Sequence, residues 1–208
     1  VPQTQTAKRF TIELPDLPAA YDWASREFAI APDGSVIVIM LIGDGQWRLY
    51  SRRFDSLELT PLAGTERGFN PFFSPDGQWI GFSADGKLKK IRLDGGPPIT
   101  IADAPRVRGA SWGADGSIVY APVSSGEGLY EISANGGTPK PVTKLDPSRK
   151  ELSHRWPHFL PDSRYLLFAI DDWGGDYDRK RVAMLDRQTG NTITLRGSAE
   201  PSPELIRT

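Results

Sequence analysis

Residues 69–102 read FNPFFSPDGQWIGFSADGKLKKIRLDGGPPITIA, and their punctuation decides the fold. Four short apolar runs, FNPFFS (69–74), QWIGFS (78–83), KLKKIRL (87–93) and PITIA (98–102), are separated by tight-turn signals. Pro75 presets the turn backbone, Asp76 can bond the amides that follow it, and Gly77 tolerates a positive φ. Asp94-Gly95-Gly96 supplies a hairpin connection between the third and fourth runs. The stretch therefore reads as one small sheet of four antiparallel strands.

The same unit recurs on both sides of it. Ile30 leads into APDG, Phe73 into SPDG, Trp112 into GADG and Phe159 into LPDS. The turn aspartates Asp33, Asp76, Asp115 and Asp162 are 43, 39 and 47 residues apart, the period of a four-stranded propeller blade. Ile37, Ile80, Val119 and Leu166 stand four residues after these aspartates, and Val36, Trp79, Ile118 and Tyr165 stand three after. Both faces of the second strand are thus apolar, as expected where each blade is sandwiched between two others. The fold predicted is an all-β propeller of four-stranded antiparallel blades, with blades near 25–62, 68–102, 107–144 and 154–195. RFTIEL (9–14) is an extra leading strand and 198–208 a tail. An unpartnered leading strand points to a larger ring of which about four blades are present. Only DLPAAYDWASREF (16–28) is allowed a helical turn.

Composition narrows the function classes. Lysine and arginine number 25 against 26 acidic residues, so no global field favours nucleic acid or an anionic membrane. There is no run of about 18 apolar residues and no basic-then-apolar leader, so no membrane insertion by this chain is expected. Zero cysteines exclude disulfides, thiolate zinc sites and a cysteine nucleophile.

FFSPDGQWIGFSADGKLKKI, WGADGSIVYAP and SHRWPHFLPDSRYLLF resemble the Pro-Asp, WD-like propeller repeats of the TolB type. RGASWGADGSIVYAP and RWPHFLPDSRYLLF in particular are similar to propellers that follow the transmembrane helix of bacterial receptor-like serine/threonine kinases. The resemblance covers about residues 8–197. It implies a ring of six or more blades, usually outside the cytoplasm, that binds or senses a protein or small ligand without a cofactor. It leaves open a fused kinase domain, a role as the gating propeller of a prolyl-oligopeptidase-type peptidase, or a TolB-like periplasmic interaction protein. GADG in repeat three and PDS in repeat four depart from the Pro-Asp-Gly pattern.

Several residues invite chemistry. Gly109-Ala110-Ser111-Trp112-Gly113 matches the G-x-S-x-G nucleophile elbow, but a turn and a strand follow where the elbow needs a helix. His154 and His158 are the only histidines. On one side of a regular strand they would stand roughly 13 Å apart, too far for one metal ion. Asp171, Asp172, Asp176 and Asp178 gather in a loop as a calcium candidate without the alternating ligand pattern; the plainer reading is a solvated hairpin. Trp173 and Tyr177 in that loop are candidate contacts for a partner. Arg26, Arg108 and Arg155 stand seven residues before the turn aspartates, with Phe69 in the remaining repeat, while Arg67 and Arg106 stand nine before. Equal offsets on the innermost strands predict a partial basic ring at the channel mouth, with His154 beside it, for a carboxylate, a phosphate or an acidic tail. The alternative is arginines on solvated loops paired with Glu27, Glu66 or Glu151.

Overall fold

The structure, a computed structural model, describes residues 27–43, 45–123, 126–172 and 181–196. Its four sheets each follow chain order. The first blade holds β1 (Phe28–Ile30), β2 (Val36–Gly43), β3 (Gln46–Arg53) and β4 (Thr60–Pro61). The second holds β5 (Phe69–Phe73), β6 (Trp79–Ala84), β7 (Lys87–Arg92) and β8 (Ile99–Asp103). The third holds β9 (Val107–Trp112), β10 (Ser117–Pro122), β11 (Tyr130–Ser133) and β12 (Lys140–Pro141). The fourth holds β13 (Glu151–Phe159), β14 (Tyr165–Asp172), β15 (Arg181–Asp186) and β16 (Thr192–Arg196). All pairings are antiparallel.

The turn chemistry acts in every repeat. Asp33, Asp76, Asp115 and Asp162 each accept the amide two residues on, at 2.9 to 3.0 Å. Gly34, Gly77 and Gly116 adopt φ of 71°, 70° and 79°. In repeat four Ser163 takes φ 55° in place of glycine. Its hydroxyl accepts the Ala114 amide of the third blade at 2.7 Å, an added bond that compensates the strain.

First strands of successive blades lie side by side, β1 with β5, β5 with β9 and β9 with β13. Outer strands do not meet in this way, so the blades radiate from a common axis. The core forms between the blades. Val38, Met40 and Leu49 of the first meet Ile80, Phe82 and Ile91 of the second. Ile118 and Tyr120 face the second blade, while their strand neighbours Val119 and Ala121 face the fourth. A second strand apolar on both faces is the result, each fully buried aliphatic contributing about 1.5–3 kcal/mol. On the far face of the fourth blade Leu167, Met184 and Ile193 are in register, and Ile193 is 46% exposed. Such a row fits a larger ring, in which a further blade covers it.

Phe28 opens β1 rather than a helical turn, and the one helical feature among the described residues is a 3-10 turn at Pro147–Arg149. The leading strand 9–14 and residues 16–26 lie outside the described residues. No helix of the described residues is long and apolar enough to cross a membrane.

Candidate functional site

The inner strands of blades two, three and four are each broken by a bulge, whereas β1 pairs with β2 without one. Register shifts fall between Phe69 and Phe72, opposite Val107–Ala110, and between Arg155 and His158. Six residues before the turn aspartate, at the break, the backbone is left-handed: Asn70 at φ 51°, Gly109 at 89°, Trp156 at 50°. A bulge re-aims the side chain that it carries. These three residues and Glu27, at the same offset in repeat one, line a single cavity of about 340 Å³ with Phe28, Pro71 and Ala110.

The ledge is cross-linked along the ring. The Asn70 amide donates to a Glu27 carboxylate oxygen, and Asn70 Nδ2 donates to the Val107 carbonyl at 2.6 Å. Gly109 has no side chain because the Trp156 backbone fills its place; a Cβ would sit 2.9 Å from Trp156 Cα. Trp156 and Phe28 remain 43% and 59% exposed. A concave surface with aromatic faces and a fixed polar edge suits a bound side chain or small ligand.

The residues expected to form a basic ring lie in different surroundings. Arg26 is outside the described residues. Phe69 packs into the core between the first two blades. Arg67, largely exposed, pairs with Asp85 at 3.1 Å. Arg155 turns back into its own blade, where Nη2 meets Asp171 Oδ2 at 2.5 Å and Nε donates to Ser153 Oγ at 2.8 Å. Arg106 is exposed and Arg108 half-buried. In blades two, three and four the inner strand is bulged, and the residue at offset six, not offset seven, lines the axial cavity.

His154 is 2% exposed and belongs to the contact between the third and fourth blades. Thr143 Oγ1 accepts the Leu129 amide at 2.7 Å, so its own hydrogen is available to His154 Nδ1 at 2.8 Å. The other ring nitrogen then donates to Glu151 Oε2 at 3.2 Å. Glu151 also accepts the Asp146 amide and pairs with Arg181 at 3.3 Å. Burial pushes the His154 pKa down, and the Glu151 carboxylate opposes this only in part. The imidazole is therefore a neutral structural link. His158 is exposed; the bulge between them puts the two histidines opposite Ile170 and Leu167, on opposite faces, not on the one side that a regular strand predicts.

Ser111 lies in β9, followed by a turn and β10, and its hydroxyl accepts the Phe159 amide at 3.0 Å. Asp171 and Asp172 end β14, with Asp171 committed to Arg155. Trp173, Asp176, Tyr177 and Asp178 lie outside the described residues. Among the described residues no group of three or more His, Asp or Glu side chains could hold a metal ion. The axial residues Glu27, Asn70 and Trp156 carried no familiar motif; the one signal was the pair Asn70 and Gly109, both residue types tolerant of positive φ, at equal offset.

No sequence-family profile and no curated protein sequence matches the chain. Solved structures do. A putative TolB from Agrobacterium tumefaciens superposes with a TM-score of 0.69 and 17% identity, over 82% of this chain and 64% of that one. TolB from Acinetobacter baumannii gives 0.65 and 18%, over 84% and 44%. A structure from a study of two prolyl endopeptidases gives 0.57 and 14%, over 79% and 28%. The chain thus spans less than two thirds of either TolB-type protein. At these identities the shared property is the TolB-type propeller fold.

Proposed function

We propose that this chain is a non-catalytic binding and scaffold propeller, the extracytoplasmic sensor or protein-interaction segment of a bacterial signalling protein. The observation that carries the reading is the axial ledge, where all four repeats contribute residues to a concave surface with half-exposed Phe28 and Trp156. The signalling context rests on the resemblance of RGASWGADGSIVYAP and RWPHFLPDSRYLLF to kinase-associated propellers. The partner is a protein or a small ligand at the propeller face.

Two other contexts have a specific observation behind them. Similarity to the prolyl endopeptidase structure favours a gating propeller, and similarity to the TolB structures favours a periplasmic interaction protein. The complete reading frame separates the three. A kinase domain with one transmembrane helix supports the proposal, a downstream α/β-hydrolase domain the gate, and a signal peptide with a small α/β domain the TolB-like role. In the full-length protein, Trp156→Ala is expected to change autophosphorylation several-fold with the propeller still folded. Unchanged autophosphorylation, or an alkaline phosphatase fusion after Thr208 that is inactive in whole cells, would overturn the reading.

A further inference from the structure

At offsets minus nine and minus seven the third blade holds two arginines where each neighbour holds one. In blade four Arg155, seven residues before the turn aspartate, has its Nε on Ser153 at offset minus nine and its Nη2 on Asp171 at offset plus nine. In blade two the arginine moves to offset minus nine, as Arg67, and the acid at plus nine, Asp85, still pairs with it. Blade three carries arginine at both minus nine and minus seven, Arg106 and Arg108, and its plus-nine position is Ser124. In the sequence, the two positions that satisfy Arg155 in blade four carry a cation and a neutral residue in blade three.

The consequence is visible in the side chain. Arg108 is half-buried, and its Nε is buried with no hydrogen-bond partner. Among the described residues no ion pair joins Arg106 or Arg108. A desolvated donor left unmade costs about 1–3 kcal/mol, and burying charge without a counter-charge costs more. Val107 between the two arginines packs into the core shared with blade two, so Arg106 and Arg108 stand on the other side of the chain, their Cα atoms about 6–7 Å apart. That spacing lets two planar forks bracket one acid group.

We propose that Arg106 and Arg108 form a carboxylate-binding site at the start of the inner strand of the third blade, occupied by the acid group of a partner. The intramolecular precedents, Asp171 on Arg155 and Asp85 on Arg67, are carboxylates, and this selects the ligand class. The site rests on the binding-propeller reading and names the chemistry of the partner.

The test titrates the 208-residue chain, labelled at arginine, with acetate, with an N-acetylated tetraglutamate peptide and with inorganic phosphate. The Arg108 Nε–H resonance is expected to move downfield with acetate and at lower concentration with the peptide, the latter marking a protein partner. A tighter response to acetate than to the peptide assigns a small-molecule carboxylate to the same site. Arg108→Gln is expected to weaken peptide binding at least tenfold, and Arg108→Lys, which keeps charge but loses the fork, to weaken it several-fold. An unmoved Nε–H resonance in the wild-type chain, a stronger response to phosphate than to either carboxylate, or equal binding by Arg108→Gln would overturn the site. Because these readouts need no signalling output, they fail independently of the Trp156 experiment.

Discussion

The junction between blades two and three and the junction between blades three and four are built on the same repeat, yet they are closed by different chemistry. In the first, Lys90 lies between two indoles, its ammonium 4.9 Å from the Trp79 ring centre and 5.9 Å from that of Trp112. Among the described residues no carboxylate pairs with it. In the second, Arg187 lies 4.9 Å over the Phe159 ring and also bonds Asp115 at 2.9 Å, Glu131 at 2.7 Å and the Ser163 carbonyl at 2.6 Å. Burial works against the Asp115 charge, but hydrogen bonds from Ser117 and Arg187 hold its carboxyl below the usual range. One junction is aromatic, the other polar and networked. Junctions built on one repeat thus tolerate opposite solutions, provided that the cation in each finds either a ring face or an acid.

The sharpest way to break this contrast is steric. A Cβ on Gly81 would stand 2.1 Å from Phe72 Cζ, inside the aromatic junction, so Gly81→Ala is expected to cost about 3 kcal/mol in urea unfolding. A loss near zero would mean that the Phe72 ring is not fixed there. Next in size is Arg187→Ala, expected to cost about 2–3 kcal/mol because it strands two carboxylates and a carbonyl. Its effect should shrink in 1 M salt, since Asp115 and Glu131 are partly exposed.

The polar junction should also respond to acid, because His154 lies in it. Its folded pKa is pushed below the free-imidazole value near 6.5, so the unfolded chain binds the extra proton more readily. That contribution is complete above about pH 6.5 and is lost as pH falls through the lower folded value. Melting temperature measured across this window should fall in the wild type and stay nearly flat in His154→Gln. A parallel fall in both proteins would move the acid sensitivity elsewhere. Smallest is Lys90→Met, expected within about 1 kcal/mol of wild type, as the replacement keeps the apolar stem between the indoles. If it matched Arg187→Ala, the two junctions would be energetically alike.

Much of the fold was legible because its signals are local. Asp76 and Gly77 specify their turn from within four residues, and the runs 69–74, 78–83, 87–93 and 98–102 anticipate strands at 69–73, 79–84, 87–92 and 99–103. The candidate site was read less well. Counting offsets along a regular strand put Arg108 and Arg155 at the axis and both histidines on one side. The bulges at Asn70, Gly109 and Trp156 change the parity of the inner strands, and for Trp156 no propensity announces a left-handed backbone.

By itself the sequence determined the repeat, the turn at each aspartate and the order of strands within a blade, since these follow from short-range dihedral preferences and apolar patterning. Tertiary structure decided which side chains reach the axis, which arginines are neutralised and how each junction closes. Those outcomes depend on partners far away in the chain, such as Arg187 with Asp115 or Asn70 with Val107, which meet only when neighbouring sheets pack face to face.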